Sequence, residues 1–82
     1  MTEIARNATL RESRAAVGVT QRQVAEALGV SIPAVCRWED GTASPTIEKL
    51  PALAALLGLR MDALIGVLIA TKDAARREEA AG

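Results

Sequence analysis

The chain has no histidine, phenylalanine or tyrosine, and only one cysteine and one tryptophan. Each absence removes a class of chemistry. Without histidine there is no Ser-His-Asp or Cys-His arrangement, and a single cysteine leaves no zinc site of ordinary spacing. One cysteine also makes no internal disulfide, which suits a reducing cytoplasm. Strand formers are sparse and the aromatics that anchor small sheets are missing. The longest apolar run, Ala63 to Ala70, falls well short of the roughly 20 residues of a membrane helix. The first residues, with Glu3, Arg6 and Asn7, hold no apolar signal-peptide core. Excess charge of either sign is lacking too, since ten Lys plus Arg balance ten Asp plus Glu. The overall basicity that marks many nucleic-acid binders is therefore absent. The acidic residues are scattered among helix caps and polar faces, so no enzyme, metal, cofactor or small-molecule ligand is expected.

What is present is alanine. Half of the 82 residues are apolar, and 17 residues are alanines. Alanine is the best helix former and fills little space, so the composition predicts an all-α protein with closely packed helices. One compact domain is the ceiling at this length, with a core small enough to profit from a partner subunit.

The helix boundaries are well punctuated. Thr9 and Glu12 form a capping box for a first helix through about Val17, closed by Gly18, with a second possible start at Thr2. Thr20 and Gln23 form another capping box, with Val19 and Val24 at the spacing of a hydrophobic staple. Gly29 stops that helix after Leu28, and Ser31 caps the next, with Val30 and Val35 repeating the staple. Pro33 falls in its first turn, where a missing amide costs little. Val35 and Trp38 face inward, and Asp40-Gly41 end the helix. After Thr42 to Pro45, Thr46 is a plausible cap for a fourth helix carrying Ile47, Leu50, Leu53, Ala54 and Leu57 at helical spacing up to Gly58. Pro51 must bend that helix or tighten its first turn. A last helix starts near Met61-Asp62 and runs into a charged tail, where Asp73 and Arg77 can pair. A division into residues 1–70 and a tail 71–82, helical or frayed, follows from the change in charge.

Residues 20 to 41 make one object: a capped helix, a minimal turn at Gly29 and a second capped helix. This is the helix-turn-helix plan, whose second helix fits the major groove of B-DNA. The sequence resembles the lambda-repressor-like, or Xre-type, helix-turn-helix domains of bacterial and phage regulators. The resemblance rests on Val19-Thr20-Gln21, Val24 through Ser31, Arg37 through Gly41, Ser44-Pro45, Leu53 through Gly58, and Met61 through Leu64, and covers roughly residues 9 to 66. It implies a five-helix domain with a C-terminal helical extension that binds double-stranded operator DNA, usually as a dimer, to control transcription.

By position, the resemblance implies that Gln21 contacts a phosphate at a helix N-terminus, where an anion is favoured. Ile32, Pro33 and Arg37 occupy positions that usually meet bases, with Cys36 nearby, while Thr42 to Ser44 match a backbone-touching loop. Ser31 and Arg22 complete the expected contact set. Ile32 and Pro33 stand where polar residues are common, leaving contact with thymine methyls as their means of readout. Arg37 is the candidate for guanine or phosphate. Arg11, Arg14 and Arg22 read as solvated charges, one or two of them facing phosphates, while Glu39, Asp40, Asp62, Glu78 and Glu79 point elsewhere. Cys36 reads as a small, inert residue.

The run from Ala63 to Ala70 is apolar around the whole helix, so one face caps the core and the other must be hidden elsewhere. Leu64, Ile65, Val67, Leu68 and Ile69 are the candidates for a two-fold homodimer interface; the alternative is a long helix folded back on its own domain. The expected function is a transcription regulator, repressor or autoregulator, on a dyad-symmetric operator. The rival is an antitoxin or adaptor-type protein-interaction module with the same fold, favoured by the neutral charge and the apolar recognition face.

Overall fold

The helix starts marked by Thr9, Thr20 and Ser31 are built as their capping chemistry requires. The structure, a computed structural model, describes the backbone of residues 8–81 and the side chains of residues 8–78; the possible start at Thr2 lies outside them. Helix α1 spans Leu10–Ala16, α2 Gln21–Leu28 and α3 Ile32–Asp40; a 3-10 turn at Ile47–Lys49 leads into α4, Leu50–Leu57, and α5 is Met61–Ala81. No strand occurs among the described residues. The Thr9 and Thr20 hydroxyls accept from the amides of Glu12 and Gln23, whose side chains reach back to the cap amides, completing both capping boxes. Ser31 Oγ accepts from the Ala34 amide at 3.2 Å. Such caps contribute about 1 kcal/mol each.

Helix α4 starts differently from the expectation. Thr46 makes no side-chain capping bond. Pro51 lacks the N–H that would bond back to the Ile47 carbonyl, so residues 47–49 close with tighter bonds, Lys49 N–H to Thr46 O at 2.9 Å among them. Ile47, read as part of the inward stripe, is 79% exposed. The apolar periodicity runs one turn beyond the surface that packs.

Leu10 of α1, Val24, Ala25 and Leu28 of α2, Val35 and Trp38 of α3, Leu53, Ala54 and Leu57 of α4, and Leu64 and Val67 of α5 form one core. Val19 and Val30, the outer members of the two staples, pack against it. Each large side chain buried here is worth about 1.5–3 kcal/mol.

The charged segment after residue 70 continues α5 without a break. Thr71 is 3% exposed; its hydroxyl accepts from the Leu10 amide at 2.8 Å and donates to the Val67 carbonyl at 2.8 Å. Lys72 Nζ donates to the Gly41 carbonyl at 3.2 Å. The helix thus folds back on its own domain, joining the first turn of α1 to the last turn of α3. Asp73 pairs with Arg76 at 3.3 Å, three residues on, rather than with Arg77.

Candidate nucleic-acid interface

Helices α2 and α3 are joined through Gly29, Val30 and Ser31. Gly29 has φ +69°, yet a Cβ there would meet nothing within 4 Å. Glycine is therefore required by the left-handed turn and not by lack of space. The turn lays Val24, Ala25 and Leu28 against Val35 and Trp38 and leaves Ser31, Ile32, Pro33 and Arg37 exposed at one end and along one side of α3.

Behind that face stands a buried carboxylate. The Glu39 side chain is 0% exposed and pairs with Arg14, whose own side chain is 18% exposed. Arg11 Nε approaches Glu39 Oε1 at 3.4 Å, and Gln21 Nε2 donates to the same oxygen at 2.9 Å. Arg14 Nη1 also donates to the Val19 carbonyl at 3.0 Å. Burial by itself pushes the Glu39 carboxyl up, but hydrogen bonds from Arg14 and Gln21, the Arg14 charge and a bond from Arg11 outweigh it and hold the carboxyl below its ordinary value. One carboxylate thus ties α1 and the start of α2 to the recognition helix.

This changes several expected roles. Arg14 is not a solvated charge, and Glu39 points inward; Arg11 is divided between Glu39 and, at 3.6 Å, Asp40. Gln21 is half-buried, with its amide group on Glu39 and its carbonyl accepting from the Cys36 thiol at 3.5 Å. Cys36 is correspondingly half-buried. The signal for the carboxylate was available: Glu39 is four residues after buried Val35 and so shares its inward face.

Arg37 is exposed and enters no ion pair among the described residues, whereas Arg22 approaches Glu26 at 3.6 Å. Thr42 and Ser44 are exposed, and the Thr42 hydroxyl donates to the Arg37 carbonyl at 3.2 Å, fixing the loop to the last turn of α3. Lys49 Nζ donates to the Leu28 carbonyl at 2.8 Å, spending another cation on a helix end.

The candidate dimer residues divide. Leu64 at 0% and Val67 at 4% exposure are core residues, because their side of α5 caps the domain. Leu68 packs half-buried against the same core. Ile65 and Ile69 face out at 47% and 57%, and Met61, four residues before Ile65, extends their stripe. Among the described residues no cluster of three or more potential metal ligands occurs, and no single helix is long and apolar enough to cross a membrane.

Comparison with known proteins meets this geometry at the same residues. A family model described as helix-turn-helix matches residues 10–64, more than half of the chain. Over 59 residues, 72% of this chain, it is 34% identical to an HTH-type transcriptional activator, BcrR of Enterococcus faecalis, covering 29% of that protein. Over 57 residues, 70% of this chain, it is 35% identical to the cryptic phage CTXphi transcriptional repressor RstR of Vibrio cholerae serotype O1, covering 51% of it. The chain therefore spans about half or less of the curated relatives it matches. No solved structure matches.

Proposed function

The chain belongs to the helix-turn-helix family, of the Xre or lambda-repressor-like type, and from that we propose that it is a sequence-specific DNA-binding transcription regulator of the bacterial or phage-encoded kind, acting in the cytoplasm. The observation that carries this reading is the outer face of α3: Ile32, Pro33 and Arg37 are exposed on a helix whose opposite side is anchored by Val35, Trp38 and Glu39. A rigid helix with an uncovered N-terminal end is what major-groove docking needs. Arg37 contacts a base or phosphate, while Ser31, Arg22, Thr42 and Ser44 lie against the sugar-phosphate backbone. The exposed Met61, Ile65 and Ile69 stripe supports a homodimer that sets two copies of α3 about 34 Å apart on a dyad-symmetric operator.

With Arg11 and Arg14 committed to Glu39, few cations remain for phosphates. Non-specific affinity is modest and its salt slope shallow, and dimerisation supplies much of the operator grip. One similar protein is named an activator and another a repressor; repression or autoregulation is the reading proposed, since occupancy of an operator by the domain alone suffices to occlude a promoter. Selection from random duplexes at low salt, followed by salt-titrated binding of the full chain, tests the reading. An enriched palindrome and a loss of binding in Arg37→Ala are expected. No enrichment, with binding to a partner protein instead, would favour the antitoxin or adaptor reading, which the same apolar stripe on α5 also serves.

A further inference from the structure

Most polar side chains at the recognition face are already engaged within the protein. Gln21 is engaged at both ends, its amide group on Glu39 and its carbonyl on Cys36, and the Cys36 thiol is spent on Gln21. Gln23 reaches back to the Thr20 amide at 2.8 Å, and the Ser31 oxygen accepts from the Ala34 amide at 3.2 Å. What remains outward on α3 is a carbon surface, Ile32 at 40% exposure with exposed Pro33, followed one turn later by the Arg37 guanidinium, which enters no ion pair among the described residues.

We infer that this chain reads its operator through thymine methyl groups, with Ile32 and Pro33 as the specificity-determining residues and Arg37 as the hydrogen-bonding reader of an adjacent guanine. The inference rests on the regulator reading and deepens it by naming the base chemistry recognised. In the major groove the C5-methyl group is the apolar mark that an aliphatic side chain can detect, and a guanine O6/N7 edge matches a guanidinium fork. Ile32 and Pro33 carry no side-chain donor or acceptor, so polar base edges set against them would lose water without replacement. That penalty disfavours bases without an apolar edge, and methyl contact favours thymine. Pro33 and Arg37 are four residues apart, about 6 Å along the helix, which is about two base steps of roughly 3.4 Å. The half-site should therefore hold one or two thymines within about two positions of the guanine.

Base analogues in the selected operator provide the test. Replacing the thymine by deoxyuridine removes only the methyl group and should weaken binding of the full chain about fourfold per buried methyl. In Ile32→Ala or Pro33→Ala that penalty should shrink toward none at the thymine each residue covers. Both side chains are exposed, so the variants should fold, and a circular dichroism melt checks that they do. Substituting 7-deazaguanine should weaken binding about tenfold for the native chain but not for Arg37→Ala. Equal affinity for thymine and uracil operators would overturn the inference while leaving the regulator intact. A uracil penalty undiminished in both alanine variants would overturn the assignment to these residues. Failure to enrich any sequence would remove the regulator reading and this inference with it.

Discussion

Replacing Glu39 by glutamine tests whether the buried carboxylate holds the recognition helix in place. The substitution keeps the shape but removes the charge that compensates Arg14, whose side chain is only 18% exposed. Breaking a buried pair from one side costs about 3–5 kcal/mol, because the surviving charge is left without its partner. The lower end applies, since Arg14 keeps its bond to the Val19 carbonyl at 3.0 Å and some access to water. A domain of this size has roughly 4–12 kcal/mol in all, so a loss of about 3 removes a large fraction. The melting temperature should fall by about 12–24 °C, measured by thermal circular dichroism and by urea unfolding. The sign of the pH dependence is also set. The folded carboxyl lies below its ordinary value of 4.5, so Glu39 contributes its stability in full above that pH and loses it as pH falls toward the folded value. The Glu39→Gln variant should therefore lose part of the native protein's destabilisation below about pH 4.5. A variant within about 0.5 kcal/mol of the native protein, with an unaltered acid limb, would refute the latch.

Leu64→Ala should cost about 3 kcal/mol in urea unfolding, because the side chain is fully buried and its removal leaves a cavity. Changing Ile65 and Ile69 together to serine should leave unfolding of the monomer within about 1 kcal/mol of the native chain but convert a dimer to a monomer in light scattering; an unchanged mass would count against the α5 interface. Two glycines separate conformation from space. Gly29→Ala should cost about 1–2 kcal/mol for its φ of +69° alone, whereas Gly41→Ala adds a Cβ 2.8 Å from Ala75 Cβ and 3.2 Å from the Thr71 carbonyl oxygen and should cost clearly more. Equal losses in paired denaturation curves would show that the contact with α5 carries no weight.

Local chemistry made the helices and the helix-turn-helix legible from sequence. Thr9 with Glu12, Thr20 with Gln23, and Ser31 with Ala34 each close over three residues, and the staple valines flank the same caps. Those bonds form wherever the segment turns helical, so residue identity and spacing suffice to mark them. Pro51 likewise announced the tightened start of α4. Which side of α5 faces the core was less legible, because Leu64, Ile65, Val67, Leu68 and Ile69 are all apolar and periodicity is silent when every side qualifies. Only the neighbours already in place, α4 before it and α1 and α3 beside it, assign Leu64 and Val67 to the core and Ile65 and Ile69 to the surface.

The charges follow the same division. Their balance was a fact of composition, and it argued against broad electrostatic attraction to DNA from the outset. Their partners were decided by the fold: Arg14 and Glu39 are 25 residues apart, Lys72 and the Gly41 carbonyl 31, Thr71 and the Leu10 amide 61. A charge in sequence has many prospective partners, and burial selects among them, because desolvation makes an unpaired ion costly only where water is excluded. The amino-acid sequence by itself determined the helices, the caps of the first three and the exposed tip of α3. Tertiary structure decided that Arg11, Arg14 and Gln21 serve Glu39, which leaves Arg37 with two apolar neighbours, Ile32 and Pro33, on the exposed side of α3.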